Sequence, residues 1–190
     1  MITYREIDES YFEEYDKIPM LVHVESILRL EKVDNGLGGI LLKEVPVKEH
    51  IKDLGKYEKA TEYTKDFDIT NWAFFMAFDY ELPIGAATIA SKTENVNMLD
   101  GRADMTVLWD IRVDDRYKKQ GIGTELFTKA VSWSKSKGFK QMKIECQNNN
   151  VPACRFYHKH GAVLGKLDEY AYYKAMDIRD EVQLIWYLDL

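Results

Sequence analysis

The chain has 190 residues, 46% hydrophobic and 13% aromatic, which is enough apolar material for one compact domain over residues 1–190. Its 26 basic and 32 acidic residues give a formal net charge of −6, which argues against nucleic acid or an anionic membrane as the main partner. The same balance fits a cationic ligand. Two cysteines, no signal-peptide pattern and no long apolar run predict a reduced, cytoplasmic protein, and the histidine spacing predicts no metal site.

The first third of the chain predicts a short helix and a hairpin. Asp8 is a suitable N-cap for a brief helix before residue 19. Residues 21–33 and 40–47 are rich in Val, Ile and Leu and are separated by turn-forming residues, which predicts a β-hairpin. Residues 1–37 should therefore form an N-terminal extension and hairpin strand packed on the sheet, followed by a helix or structured loop over residues 57–67.

The rest of the chain predicts strands first and then strands alternating with helices. Strands are expected over residues 72–80, 84–91, 107–113, 139–146, 162–168 and 182–190, and helices over residues 121–136 and 151–160. This order predicts an α/β (α+β) fold: a mixed, mostly antiparallel sheet with a central parallel strand pair and helices on both faces.

The segment from residue 107 to residue 126 carries the first functional signal. Its strand alternates Val107, Trp109, Ile111 and Val113 on one face with Leu108, Asp110 and Arg112 on the other. A turn follows, and two glycines, Gly121 and Gly123, open the next helix. Backbone N–H groups at such a junction can surround a phosphate, although two glycines in this position more often form a simple tight turn. Neither the Walker loop nor the dinucleotide fingerprint fits.

A second segment, Asn150 to Gly161, follows about thirty residues later and also opens a helix. Together the two segments resemble the GNAT family of acetyl-CoA-dependent N-acetyltransferases over residues 72–163. The family's phosphate loop has Gln or Arg, two residues, Gly, one residue, and Gly or Ala; here Lys118 departs from it at the first position. Shorter runs at residues 38–44, 149–154 and 185–187 look like streptothricin acetyltransferases, which acetylate the β-lysine amine of that antibiotic.

This resemblance implies acetyl-CoA as the acetyl donor. It implies pantetheine pairing with the backbone of Ile111, Arg112 and Val113, and pyrophosphate bound by the amides of Lys119, Gln120, Gly121, Ile122, Gly123 and Thr124. Lys118 and Lys119 would add positive charge. Asn150 would hydrogen-bond the cofactor, with a plain helix N-cap as the alternative, and Ala153 would leave room beside it.

The chemistry needs a group that accepts a proton from the substrate ammonium. Deprotonating an amine of pKa near 10.4 at pH 7 costs about 4.6 kcal/mol. Asp110 is the first candidate for this base, or for holding the ammonium by charge, and Glu145 is the second, unless it is a surface carboxylate. The resemblance assigns Tyr157 as the general acid for the CoA thiolate, with a packed tyrosine as the alternative. Cys146 and Cys154 are expected to be small buried hydrophobes.

An acidic and aromatic group near the C-terminus could line a cationic pocket, or form a solvated loop. Its members are Asp168, Glu169, Tyr170, Tyr172 and Glu181. The resulting prediction is an enzyme that acetylates a primary amine of a cationic small molecule, with streptothricin as first choice. A protein or peptide N-acetyltransferase and a non-catalytic acyl-CoA-binding module are the alternatives. No nucleic acid or membrane partner is expected, and monomer or homodimer stays open.

Overall fold

A computed structural model describes all residues, Met1–Leu190. The strands are β1 (Ile2–Ile7), β2 (Leu21–Val33), β3 (Gly39–Asp53), β4 (Ala73–Asp79), β5 (Leu82–Ser91), β6 (Met105–Val113), β7 (Gln141–Gln147), β8 (Val163–Asp168) and β9 (Gln183–Asp189). The α-helices are α1 (Phe12–Asp16), α2 (Ala60–Asp66), α3 (Ile122–Ser136) and α4 (Val151–Lys159). None of the helices combines the length and the apolar character that crossing a bilayer requires.

The contacts divide the chain into two compact units. Unit 1 comprises Met1–Leu21, Asp53–Ile144 and Tyr187–Leu190, and unit 2 comprises Val22–Lys52 and Glu145–Trp186. The expectation of a single domain over residues 1–190 stays a prediction.

Unit 1 is built on a sheet with the strand order β1-β4-β5-β6-β7. The first three pairings are antiparallel, and β6 and β7 are parallel over Met105–Leu108 and Gln141–Ile144. An aromatic and aliphatic cluster joins α1 and α2 to one face of this sheet, and α3 covers the other face at Gly85. The predicted mixed, mostly antiparallel sheet with a parallel pair and helices on both faces is confirmed.

A β-bulge in β6 changes which side chains share a face. Thr88 of β5 is opposite Asp110, but its neighbour Ile89 is opposite Leu108, so Trp109 is an extra residue. Because the extra residue shifts the alternation, Asp110 joins Val107 on the face of α1, while Leu108 lies on the face of α3. The expected grouping of Leu108 with Asp110 and Arg112 is therefore wrong, as is the grouping of Val107 and Trp109 with Ile111 and Val113.

Two local contacts, one at Gly85 and one at Asp16, position the helices of unit 1. Gly85 lies where a Cβ atom would come within 3.1 Å of both Ile122 Cγ2 and Leu126 Cδ1, so glycine allows α3 to pack closely on β5. The carboxylate of Asp16, at the end of α1, accepts hydrogen bonds from the amides of Ala60 and Thr61 at 2.7 and 3.3 Å. This side chain satisfies the first donors of α2 and ties the two short helices together.

Unit 2 contains the paired strands β2 and β3, the strands β9 and β8, the end of β7, and α4. The predicted hairpin is confirmed, with β3 extending to Asp53 rather than residue 47. Its turn includes three successive residues with positive φ, Asp34, Asn35 and Gly36, for which Asn and Gly are well suited. Helix α4 begins after Asn150, whose side chain caps it.

Most of the predicted elements are found within a few residues of their expected bounds. The missed element is β1, which pairs with β4 in antiparallel register from Ile2 opposite Asp79 to Ile7 opposite Phe74. Asp8 does act as an N-cap, but of a short 3-10 turn, because its side chain accepts from the Ser10 amide at 3.0 Å. Helix α1 follows that turn.

Candidate functional site

The turn between β6 and α3 presents backbone N–H groups to solvent. Lys119 has φ +62° and Gly121 has φ +87°, so two residues of this turn are in the left-handed region. The first intrahelical bond of α3 runs from the Glu125 N–H to the Gly121 carbonyl at 3.0 Å. The N–H groups of residues 122–124 therefore have no partner inside the helix, and this end of α3 can bind an anion.

The two glycines of this turn, Gly121 and Gly123, differ in whether the fold itself requires glycine. At Gly121 a Cβ atom would meet nothing within 4 Å, so only its positive φ favours glycine. Gly123 has no such backbone requirement, and an added Cβ would meet only Val113 Cγ2, at an ordinary 3.7 Å. The fold itself therefore does not need glycine at position 123.

The lysines of the turn have different surroundings. The Lys118 ammonium donates to the Leu21 carbonyl at 2.7 Å and pairs with Asp115 at 2.5 Å, so its charge is already engaged. Lys119 is exposed. The charge that this turn can offer to an anion therefore comes from Lys119 and from the helix end more than from Lys118.

The last residues of β6, before the turn, pair with a neighbouring strand along one edge. Gly85, Ala86 and Ala87 of β5 pair with Val113, Arg112 and Ile111. The parallel register with β7 runs from Met105 to Leu108, so residues 111–113 lie past it. These residues and the turn form one continuous stretch of unit 1.

Asp110 lies at the centre of a buried polar cluster in unit 1. Its side chain is 0% exposed, and its Oδ2 accepts from Arg112 Nε at 2.7 Å and from the Tyr15 hydroxyl at 3.0 Å. Burial lowers the pKa of the Arg112 guanidinium, but the charge of Asp110, the Tyr15 and Tyr63 phenols and the hydrogen bond to Asp110 together raise it. Burial, and then the charge of Asp110, raise the pKa of the Tyr15 phenol. The other carboxylate oxygen, Oδ1, is buried without a hydrogen-bond partner.

Arg112 contacts other groups besides the carboxylate of Asp110. Its guanidinium lies over the Tyr15 ring at 5.0 Å and donates to the backbone carbonyls of Ile18 and Glu58, both at 3.4 Å. Sequence analysis assigned only the backbone of Arg112 to a function. The signal for its side chain was its spacing from Asp110, since residues two apart on a strand share a face.

Glu58 joins the polar cluster of Asp110, which nothing in the sequence had indicated. It lies between β3 and α2, and its Oε1 accepts from the Trp109 indole N–H at 2.7 Å. Burial raises the pKa of the Glu58 carboxyl, and the nearby charge of Asp110 raises it further, against the opposing effects of the Trp109 and Tyr63 donors and Arg112. Nothing local in the sequence marks this residue, because its partners come from a strand fifty residues later.

The helix α4 of unit 2 carries the remaining residues of the predicted family motif. Asn150 Oδ1 accepts from the Ala153 amide at 3.3 Å, which is the N-cap arrangement considered as the alternative to cofactor binding. Ala153 is partly exposed, and Tyr157 is buried, with its ring 5.6 Å from that of Phe156. Catalysis by Tyr157 and cofactor contact by Asn150 and Ala153 stay predictions.

Glu145 is held by neutral donors in unit 2. Its Oε1 accepts from the Tyr172 hydroxyl at 2.6 Å and its Oε2 from Gln183 Nε2 at 2.9 Å. Burial, followed by the charge of Glu145, raises the pKa of the Tyr172 phenol. Gln147 also donates to the Tyr172 hydroxyl, at 3.3 Å. The structure therefore brings together one predicted base and one predicted substrate residue.

The other predicted substrate residues do not join this group. Glu169 and Glu181 form ion pairs with Lys32 and Lys52, so their charges are compensated inside unit 2. Asp168 accepts from the Tyr170 amide at 2.9 Å, and the Tyr170 ring is largely exposed. Ion pairs and a local turn account for these contacts, and substrate binding by these residues stays a prediction.

The two cysteines form a close pair in unit 2. Both are buried free thiols, as expected, and their Sγ atoms are 3.4 Å apart. The hydrogen bond to Cys154, and then burial, raise the pKa of the Cys146 thiol. Both effects favour the protonated, unreactive form.

Comparison with known proteins agrees with this geometry. The streptothricin acetyltransferase A of Bacillus subtilis (strain 168) is 37% identical over 78 residues, which are 41% of this chain and 44% of that protein. The streptothricin acetyltransferase of Escherichia coli is 31% identical over 84 residues, or 44% of this chain and 48% of that protein. The chain thus spans less than half of the length of these two curated relatives.

Solved structures resemble the chain over its whole length. A Bacillus anthracis str. Ames protein assigned as a streptothricin acetyltransferase, solved in complex with acetyl coenzyme A, is 26% identical with a TM-score of 0.77, covering 100% of this chain and 98% of that one. A nourseothricin acetyltransferase shares the fold, with a TM-score of 0.78 at 20% identity over 99% of this chain and 98% of that one. The sequence pattern of the acetyltransferase (GNAT) family matches residues 35–162, more than half of the chain. The chain therefore belongs to the acetyltransferase (GNAT) family.

Proposed function

We propose that this protein transfers an acetyl group from acetyl-CoA to a primary amine of a cationic small molecule, with streptothricin as the acceptor. The observation that carries the proposal is the turn between β6 and α3, where positive φ at Lys119 and Gly121 leaves backbone donors free at a helix end. Membership of the acetyltransferase family and the names of its relatives support the reaction and the acceptor.

The residues of unit 1 fit the phosphates of acetyl-CoA. The amides of residues 119–124 would bind the pyrophosphate, and exposed Lys119 would add charge. The backbone of residues 111–113 would pair with the pantetheine arm, as an added strand pairs with a sheet edge. Asn150 and Ala153 are proposed to contact the same arm. Bound in this way, acetyl-CoA would supply the acetyl group as a thioester.

Residues of this chain would then manage the protons. Tyr157 is proposed to protonate the departing thiolate, because a phenol and a thiol have similar proton affinities. The buried negative charge of Asp110 is proposed to favour an ammonium group nearby. Glu145 remains a second candidate for the base, although both of its oxygens already accept hydrogen bonds.

Release of free thiol tests the reaction directly. The purified protein is mixed with acetyl-CoA and a panel of acceptors containing streptothricin, an aminoglycoside and a lysine peptide. One thiol released per streptothricin consumed, with little release for the others, supports the proposal. Release only with the aminoglycoside or the peptide would reject streptothricin, and no release with any acceptor would reject the enzymatic proposal.

The variant Tyr157→Phe separates chemistry from binding. If Tyr157 is the general acid, kcat falls by about 10²-fold while the Kd for acetyl-CoA stays within about threefold, because the phenyl ring keeps its packing. Steady-state kinetics and calorimetric titration with acetyl-CoA measure both. An unchanged kcat would exclude Tyr157 as the acid.

The variant Gly123→Ala tests the proposed pyrophosphate site. The fold should tolerate the added methyl group, which meets only Val113 at 3.7 Å, and helix propensity should make the variant slightly more stable. A methyl group between the amides and a phosphate should raise the Kd for acetyl-CoA at least about tenfold, a loss of about 1.4 kcal/mol. An unchanged Kd would place the pyrophosphate elsewhere.

A further inference from the structure

The structure points to a proton acceptor that neither the sequence nor the family resemblance indicated. We propose that Glu58 binds the ammonium group of the acceptor and takes its proton, while Asp110, buried in its ion pair with Arg112, acts nearby through its negative charge. This inference rests on the proposed function and names a residue for its first chemical step.

Glu58 is fixed from two sides by strand β6. The Trp109 indole N–H donates to its carboxylate at 2.7 Å, and the Arg112 guanidinium donates to its backbone carbonyl at 3.4 Å. The Asp16 cap on α2 also fixes the segment that follows Glu58. A side chain in a stretch without regular structure is thus held in a defined position, as a catalytic group must be.

Asp110 is poorly placed to exchange protons but well placed to act through its charge. Only 2% of the residue is exposed, and Arg112 and Tyr15 both bond to its Oδ2. Its Oδ1 is buried without a partner, which leaves a negative oxygen that no donor of this chain satisfies. Because this oxygen is enclosed by the chain, Asp110 would favour a nearby substrate ammonium through its charge and not by direct contact.

The charge of Asp110 reaches Glu58. Burial and then Asp110 raise the pKa of the Glu58 carboxyl, which makes Glu58 a stronger proton acceptor than an ordinary glutamate. The charged and titratable groups around it are Asp110 and Arg112 from β6 and Tyr63 from α2, with Tyr15 of α1 beyond Tyr63. Glu58 is also partly exposed, unlike Asp110, so a proton taken from a substrate can pass to water.

The proposed path of acetyl-CoA ends beside this group. With the pyrophosphate at residues 119–124 and pantetheine along residues 113 to 111, the thioester lies toward Trp109 and Asp110. The β-bulge makes Trp109 the extra residue of β6, and the indole of that residue holds Glu58. The acceptor amine would therefore meet Glu58 and the acetyl group at the same point of the strand.

The ammonium group loses two of its three protons in the reaction. One proton passes from the ammonium to the Glu58 carboxylate, which frees the nitrogen lone pair. The nitrogen then forms a bond to the acetyl carbon, the carbon–sulfur bond breaks with its electron pair on sulfur, and a second nitrogen proton ends on the thiolate. The third proton remains on the amide, Glu58 releases its proton to water, and one proton is released per turnover.

The test is Glu58→Gln, with Glu62→Gln as the matched control. Glu62 lies in the first turn of α2, is exposed, and pairs only with Lys65 at 2.8 Å. At pH 7 Glu58→Gln should lower kcat/KM by at least about 10²-fold, while Glu62→Gln leaves it unchanged. The wild-type profile of kcat/KM should fall at acidic pH; Glu58→Gln should lose that acidic limb and gain activity as the pH approaches the pKa of the amine.

Binding measurements and a second variant separate a catalytic role of Glu58 from a structural one. Glu58→Gln should bind acetyl-CoA with an unchanged Kd, and Glu58→Asp, which keeps the carboxylate, should keep the acidic limb with reduced kcat. Retained activity in Glu58→Gln, a retained acidic limb, or joint loss of acetyl-CoA binding would each overturn the proposal. If the wild-type protein acetylates no amine at all, the proposed function fails; if it is active and Glu58→Gln is equally active, only this inference fails.

Discussion

Two carboxylates of this chain, Asp110 in unit 1 and Glu145 in unit 2, each accept a hydrogen bond from a tyrosine hydroxyl. Tyr15 donates to Asp110 at 3.0 Å, and Tyr172 donates to Glu145 at 2.6 Å. The two differ in everything else around the carboxylate. Both oxygens of Glu145 have neutral donors, whereas Asp110 has an arginine on one oxygen and nothing on the other.

The two carboxylates therefore differ in how completely the chain itself satisfies their oxygens. Hydrogen bonds from neutral donors fully account for the position of Glu145, so no further partner is needed. The ion pair of Asp110 with Arg112 is buried on both sides, with exposures of 0% and 1%, and still leaves one acceptor unused. Four substitutions test this contrast, and Asp110→Ala should change stability most.

Asp110→Ala should have the largest effect on stability. It leaves the Arg112 guanidinium buried without its counter-ion, which should lower the free energy of unfolding by about 3–5 kcal/mol. Urea denaturation measures this. Glu62→Ala, which breaks an exposed pair with Lys65, is the control and should change stability by less than about 1 kcal/mol. Similar values for the two variants would contradict a buried, structurally coupled pair.

Tyr15→Phe should come next. The variant keeps the ring beneath Arg112 but removes the hydroxyl that bonds both Thr88, at 2.8 Å, and Asp110. Hydrogen bonds to charged groups contribute about 1.5–3 kcal/mol, so a loss in that range is expected in denaturant unfolding. A loss below about 0.5 kcal/mol would mean that Arg112 alone satisfies Asp110.

Tyr172→Phe is the matched change in unit 2. The Tyr172 site is only partly buried, so water can replace the lost donor to Glu145, and a loss of about 0.5–1.5 kcal/mol is expected. If Glu145 has a structural role, kcat should not change. A large fall in kcat with little change in stability would instead make Glu145 the proton acceptor and reverse the contrast drawn above.

Glu58→Gln should have the smallest effect on stability, and of opposite sign. Because the folded protein raises the pKa of Glu58 above 4.5, its stabilising contribution exists at low pH and is lost as the pH rises through the folded value. At pH 7 the ionised carboxylate is unfavourable, and the neutral amide removes that effect. Thermal unfolding should show a small gain in Tm for the variant at pH 7 but not at pH 4. A loss of stability at pH 7 would show that Glu58 is a structural residue.

Much of the fold follows from local pattern. The helix α3 was predictable because Ile122, Leu126 and Ala130 recur at helical spacing, and the hairpin of β2 and β3 because its turn contains Asn35 and Gly36. The edge strand β1 was missed because its six residues carry only a weak alternation beside a clear capping residue, Asp8. Its identity comes from pairing with β4, which is a long-range contact.

The candidate site was also predictable only in part, because some of its residues come together through long-range contacts. The donors of the turn at Gly121 are local, since glycine at a strand-to-helix junction sets the backbone. Glu58 and Tyr15 join Asp110 through tertiary packing, at separations that no motif records. The face of Asp110 was misjudged in part because a β-bulge leaves no mark in the alternation of apolar residues.

Trp109, the extra residue of β6, reverses the alternation of side chains between the two faces of the sheet. Every side chain after it faces opposite to where strict alternation from Val107 would place it. Deleting this one residue would close the bulge and leave Leu108 opposite Ile89 and Asp110 opposite Thr88, so the charged pair that follows would keep its place on the face of α1. A related sequence with a one-residue gap here would therefore keep its charged pair on the α1 face and lose only the indole that donates to Glu58.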